Sequence, residues 1–278
     1  MQETLVYPAV GICIYCLGSE ALQTEHIVPY SLGGSMLLPK ASCGDCSKVT
    51  SAFEGRVSGG MFKAFRAKIN APTRSKVGHP TEFPTTFFDL TTVSTQRKLL
   101  PVEEIPGFLH IMYFDHEACL VSRKTTSPVI RVEFGWIPNS VVSASNDRDF
   151  QKSVYCDLHI EAYVRMLSKI GHAYVWAELG GEGWEPLLVP LIISAKGKWE
   201  NFIGRSPVSI PPKMLAIRIL HRENDSLITV LVTHPLLAQS GPVYEVVVGR
   251  IQNRGLVATR FLESNLRLEK CRFEAATR

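Results

Sequence analysis

Apolar positions recur at helical spacing most clearly between Cys156 and about Glu178. Leu158, Ala162, Met166 (or Leu167), Ile170 and Tyr174 follow one face, and Gly180-Gly181 ends the run. Branched and aromatic residues over Phe108–Asp115 and Val129–Trp136 predict strands instead. Further on, Met214–Leu220, Leu227–Thr233 and Tyr244–Ile251 read as an antiparallel meander whose first turn is Arg222-Glu223-Asn224-Asp225, with Leu256–Leu262 as a fourth strand. Near the N-terminus the elements are shorter. Glu25-His26-Ile27-Val28 reads as a strand ended by Pro29, Gly33-Gly34 as a loop, and Met36-Leu37-Leu38 as a second strand. A helix follows from about Gly44, with Asp45 or Ser47 as N-cap and Val49, Phe53 and Val57 at apolar positions. Gly59-Gly60 breaks it, and Met61 to Ile69 resumes as a short basic helix.

The extended, proline-punctuated stretch from His79 to Pro84 follows the turn Asn70-Ala71-Pro72-Thr73, so the boundary falls near residue 76. The prediction is an α+β protein: a small strand-strand-helix module over 1–76, then a larger α+β domain over 77–278 with an antiparallel sheet and one long helix.

Cysteine spacing changes the picture of the first module. Cys13-x-x-Cys16 and Cys43-x-x-Cys46 present four thiolates at the spacing of a tetrahedral structural zinc site. Seven cysteines, an odd number with four in such pairs, suit metal ligands in a reducing compartment better than a disulfide framework. The N-terminus shows no basic segment followed by an apolar one, and the longest apolar run, Leu187 to Ala195, is far short of a bilayer span. A cytoplasmic location without membrane attachment is expected.

The net charge of +4 is modest, but its distribution is not. Residues 55–81 contain no Asp or Glu, yet carry Arg56, Lys63, Arg66, Lys68, Arg74 and Lys76. Such a run can track a phosphate backbone or simply form a solvated face. The four tryptophans are expected to pack the core, and Cys119 and Cys271 to be inert.

These pieces together resemble the HNH endonuclease superfamily in its zinc-stapled ββα-metal form. The resemblance rests on the two cysteine pairs, on Glu25-His26-Ile27-Val28-Pro29, on Gly33-Gly34, and on the helix after Cys46, and covers about the first 57 residues. Leu37-Leu38-Pro39-Lys40-Ala41-Ser42-Cys43, then Thr50-Ser51-Ala52-Phe53-Glu54, and later Arg165-Met166-Leu167-Ser168-Lys169-Ile170-Gly171-His172 are similar to a bacterial subgroup of predicted HNH proteins. The resemblance implies metal-dependent hydrolysis of phosphodiester bonds, most simply in DNA. His26 is then the general base and Glu25 a ligand of a catalytic Mg²⁺ or Mn²⁺, with zinc on the cysteines as a separate structural metal.

Two positions depart from the pattern. Leu38 stands where the family usually has an Asn that orients the histidine loop, and Ser47 stands where it has Asn or His as a second metal ligand. Ser47, Thr50 or Ser51, and Glu54 share a helix face, which makes Glu54 the candidate replacement ligand. Two rival readings follow from these departures: a catalytically inactive zinc module that binds nucleic acid, and a protein-interaction adaptor for which the zinc knuckle is only scaffold.

Overall fold

The computed structural model describes residues 4–89, 94–105, 108–125, 127–136, 150–154, 158–206, 214–223, 225–237 and 241–263. The chain is α+β, with three antiparallel sheets beside the first one and a four-cysteine cluster near the N-terminus.

The first sheet is small. Strand β1 (Leu5–Val6) pairs in parallel with β3 (Met36–Ser42), and β2 (Gln23–His26) pairs with β3 antiparallel, so β3 is central. Glu25 lies opposite Leu38 and His26 opposite Leu37, while a register shift between Gln23 and Glu25 marks a bulge. A bulge at that point adds twist and re-aims the side chains beyond it. Between the strands, Gly33 takes a left-handed φ of 84° to close the 3₁₀ turn Tyr30–Leu32. Gly34 is required for a different reason: a Cβ there would collide with the Val28 carbonyl.

Helix α1 (Gly44–Arg56) starts at Gly44 as expected, which is two residues before an Asp45 cap allows and four before a Ser47 cap. Cys43 is the N-cap, and its sulfur accepts the Cys46 N–H at 3.5 Å. The Gly-Gly break is present as a π-helical turn over Val57–Met61, in which Phe62 N–H reaches the Val57 carbonyl at 3.0 Å. Helix α2 (Lys63–Lys68) follows. Two cations of the basic run over residues 55–81 are internal braces. Arg66 donates to the carbonyls of Ser31, Ser58 and Pro72 at 2.7–2.9 Å, and Lys68 to those of Val102, Glu103 and Ile105.

Strands β4 (Glu82–Asp89), β5 (Ser94–Pro101) and β8 (Phe150–Val154) form one antiparallel sheet in the order β5-β4-β8, of which the sequence reading anticipated only an extended segment to Pro84. Strands β6 (Phe108–Phe114) and β7 (Ile130–Trp136) make a hairpin-like pair where predicted, and the four-residue helix α3 (Cys119–Ser122) lies between them. Helix α4 (Ile160–Leu179) is the long predicted helix. Strand β9 (Trp184–Pro186), helix α5 (Val189–Ser194) and β10 (Ile203–Arg205) lead into the meander β11 (Leu215–His221), β12 (Ser226–Thr233) and β13 (Val243–Ile251). That sheet runs β10-β13-β12-β11, with β9 also paired to β13. The expected fourth strand is absent from it. Residues 254–263 are helical, because Asn253 accepts the Leu256 N–H through its side chain and caps a helix start.

Helix α4 is buried on nearly every side from Ala162 to Leu179, its buried polar residues Ser168, Lys169, His172 and Glu178 included. Gly171 lets it approach β13, since a Cβ there already meets Val246 and Val248 at 3.1 Å. Its other side holds the N-terminal module. His172 donates through Nε2 to the Ile14 carbonyl at 2.8 Å, and Tyr7 donates to Glu178 at 2.5 Å. One hydrophobic cluster runs from Tyr7 through Phe53 and α4 to Val257. Trp176 and Trp184 are buried in it and Trp199 packs on it, whereas the side chain of Trp136 and all of Cys271 lie outside the described residues.

Candidate functional site

The four sulfurs of Cys13, Cys16, Cys43 and Cys46 lie within 4.8 Å of one another. Zinc with 2.3 Å bonds to four tetrahedral sulfurs needs edges of about 3.8 Å. The Cys16 and Cys43 sulfurs are 3.7 Å apart, so the set fits a structural metal of that kind. The Cys46 N–H at the start of α1 holds the Cys43 thiol down to about 7, which favours the thiolate a metal requires. Cys13 and Cys46 are buried and Cys16 is exposed, so the cluster sits at the edge of the fold.

A separate polar cleft of about 340 Å³ opens between β2, the Tyr30–Leu32 turn and α1. Glu25, His26, Ser47 and Glu54, the residues singled out in the sequence, all line it. Tyr30, Arg66 and Arg74 line it as well. Consecutive residues of a strand point to opposite faces, and that alternation separates the two key side chains. Glu25 turns inward with 7% of its side chain exposed, while His26 is half-buried at the mouth.

Arg74 reaches His26 from a loop. Its Nη2 is 3.3 Å from Nδ1 and 3.4 Å from Nε2. Near-equal distances to both ring nitrogens put the guanidinium over the ring face rather than on either in-plane hydrogen-bonding direction. Tyr30 completes the stack: its ring meets His26 edge-on at 5.9 Å, and the Arg74 guanidinium carbon is 5.4 Å from its centroid. Burial lowers the His26 pKa, and the charges of Arg74 and Lys169 lower it further, against a smaller opposing effect of Glu25. The imidazole is therefore neutral near pH 7, the form that accepts a proton.

The residue that sequence reasoning passed over is Lys169, on the third turn of α4. Its side chain has 0% exposure, and its ammonium lies 2.6 Å from Glu25 Oε1 and 2.9 Å from Glu54 Oε1. It also donates to the His26 carbonyl and lies 3.4 Å from that of Ile27. Burial raises the Glu54 carboxyl pKa and Lys169 opposes that rise. For Lys169 itself burial disfavours the charge, but the two carboxylates outweigh it and the net direction is upward. In the sequence it stands only as one residue of the Arg165 to His172 stretch that carries part of the resemblance, with nothing to pair it with Glu25 or Glu54.

Lys169 bears directly on the expected catalytic ion. An ammonium already sits 2.6 and 2.9 Å from one oxygen of each carboxylate that a hard divalent ion would take, so an ion held between Glu25 and Glu54 would face a buried positive charge. As arranged, this donor set does not fit Mg²⁺ or Mn²⁺ alongside Lys169. Leu38, at one of the departing positions, is buried in the core opposite Glu25, and Ser47 stands on the cleft wall.

Compared with known protein families, curated proteins and solved structures, the chain matches none. No helix among the described residues is long and apolar enough to cross a membrane.

Proposed function

We propose that this protein hydrolyses phosphodiester bonds in nucleic acid, most simply DNA, from the cleft between β2 and α1, as an HNH-type nuclease with a structural zinc on its four cysteines. One observation carries the reading: a neutral, half-exposed His26 stands at the mouth of a polar cleft with the Arg74 guanidinium against its ring. In that role His26 accepts a proton from the water that attacks phosphorus. The bond from phosphorus to the leaving oxygen breaks, solvent protonates that oxygen, and Arg74 offsets the charge on the phosphoryl oxygens. Unpaired cysteines gathered at a metal site suit a reducing, cytoplasmic setting.

A second reading is favoured by the ion pairs of Lys169. A cleft whose two carboxylates are already matched by a lysine can bind phosphate without cleaving it, which is the inactive nucleic-acid-binding module. Plasmid nicking by the purified chain, run beside His26→Ala with equal zinc content, separates the two. Nicking lost in the variant supports hydrolysis with His26 as base. Equal nicking in both refutes it, and salt-dependent DNA binding without nicking in either assigns the binding module.

A further inference from the structure

Lys169 has properties that a brace for the fold does not need. An ammonium carries three N–H donors and no acceptor. The hydrogen bonds of Lys169 run to the end of β2, at the carbonyls of His26 and Ile27, and its charge lies 2.6 Å from Glu25 Oε1 and 2.9 Å from Glu54 Oε1. The side chain is wholly buried, with 0% exposure. The contacts are also specific in place: the ammonium joins the inner residue of the Glu25-His26 pair to the candidate ligand on α1, and it fixes the backbone that carries His26.

We infer that the Lys169 ammonium is the resident cation of this cleft, holding the position between Glu25 and Glu54 that a divalent ion would otherwise take, so that the cleft engages nucleic-acid phosphate without Mg²⁺ or Mn²⁺. The phosphate-facing part of the inference rests on the nucleic-acid reading above; the occupancy of the cation position does not. Lys169 is a positioning residue: it is too deep to touch a substrate and acts through Glu25, Glu54 and the His26 backbone. Phosphate is left to Arg74 and His26 at the mouth. A divalent ion held between the two carboxylates would compete with a buried ammonium for them. Stranding that charge would weaken binding of the ion by about a hundredfold or more relative to the same carboxylates without the lysine.

The test uses the full, zinc-loaded chain in buffers freed of other divalent ions over chelating resin. Mn²⁺ alone is titrated, and the free ion is followed by its paramagnetic resonance signal. The wild-type chain is expected to show no saturable Mn²⁺ site below about 1 mM, whereas Lys169→Met, with zinc content and cooperative unfolding verified, should gain one at least about tenfold tighter. Saturable wild-type binding that disappears in Glu54→Gln overturns the inference, and this arm stands even if the lysine variant fails to fold. A folded Lys169→Met that still takes no Mn²⁺ also overturns it. Binding of a short fluorescent DNA duplex should change less than about twofold on adding Mn²⁺ to the wild-type chain; a rise beyond about tenfold overturns metal independence. His26→Ala nicking tests the nuclease reading separately, so failure of one can be told from failure of the other.

Discussion

Replacing Lys169 with Met removes the one cation that faces both Glu25 and Glu54 and leaves a side chain of similar length. The cluster in the native protein sets two acidic side chains against one ammonium, with contacts of 2.6 and 2.9 Å and full burial of the lysine. Breaking a buried ion pair by deleting one partner costs about 3–5 kcal/mol, because the remaining charge is stranded. Here two like charges remain, so the upper part of that range is expected, against a total stability of about 5–15 kcal/mol. The deficit must depend on pH, and its sign is fixed. Lys169 opposes the rise that burial imposes on the Glu54 carboxyl, so without the ammonium that carboxyl climbs further above its unfolded value and the folded variant holds a proton that the unfolded state has already released. Stability of the variant then increases as pH falls toward the unfolded carboxyl range. With one proton taken up, the deficit should shrink by up to about 1.4 kcal/mol per pH unit, or roughly 2 kcal/mol between pH 7 and pH 5.5. Urea unfolding followed by fluorescence of the buried Trp176 and Trp184 measures both quantities. Glu54→Gln is the control: it leaves Lys169 and Glu25 as a balanced pair and should cost less than about 1.5 kcal/mol. A deficit for Lys169→Met below about 1 kcal/mol at pH 7, or one that grows on acidification, would refute the cluster as described.

Three further outcomes follow from the same geometry. Cys13→Ser removes a buried sulfur from a cluster that joins the first knuckle to the start of α1, so bound zinc should fall by at least about tenfold and unfolding should begin in the module; zinc content and far-UV dichroism report both. Gly34→Ala drives a Cβ into the Val28 carbonyl and should cost about 2 kcal/mol or more, read as a drop in the thermal midpoint; an unchanged midpoint would show that the turn has another conformation available. His234 is fully buried against Phe62 and Tyr163, accepts the Leu236 N–H through Nδ1, and has its pKa pushed down to about 3 by burial. The unfolded chain therefore binds a proton there below about pH 6.5 while the folded chain does not. This single group should remove about 2 kcal/mol of stability between pH 7 and pH 5, and urea unfolding of His234→Phe across that interval should show a pH-dependent loss smaller by that amount than that of the wild-type chain, whose slope also includes His172.

What was legible in the sequence was what depends on short spacing. The cysteine pairs, the alternation that turns Glu25 inward and His26 outward, and the helix face that brings Ser47 and Glu54 to the same wall are all encoded within residues 13–54. The meander was legible too, because each of its strands is a continuous branched run bounded by turns. Residues 254–263 were misread because Leu256–Leu262 contains enough apolar residues for a strand, while the feature that decides in favour of helix is a single cap at Asn253. Lys169 was out of reach for another reason. It lies 143 residues from the His26 carbonyl it contacts, and no periodicity links the two.

The basic run over residues 55–81 shows how far apart charge in a sequence and charge at a site can be. Counted along the chain it offers a set of unmatched cations to a phosphate backbone. In the fold, Arg66 is spent on three main-chain carbonyls and Lys68 on three more, so neither presents its charge freely to a ligand. Arg74 differs: it faces the cleft with its guanidinium over the imidazole. Salt dependence of DNA binding should reflect that reduction. Each phosphate contact adds about 0.9 to the slope of log affinity against log salt on duplex DNA. A site centred on Arg74 predicts that Arg74→Met lowers the slope by about one, while Lys68→Met leaves it unchanged and lowers the unfolding midpoint instead. Equal loss of slope in both variants would mean that the whole run lies along the nucleic acid and that the cleft is not where the phosphate docks.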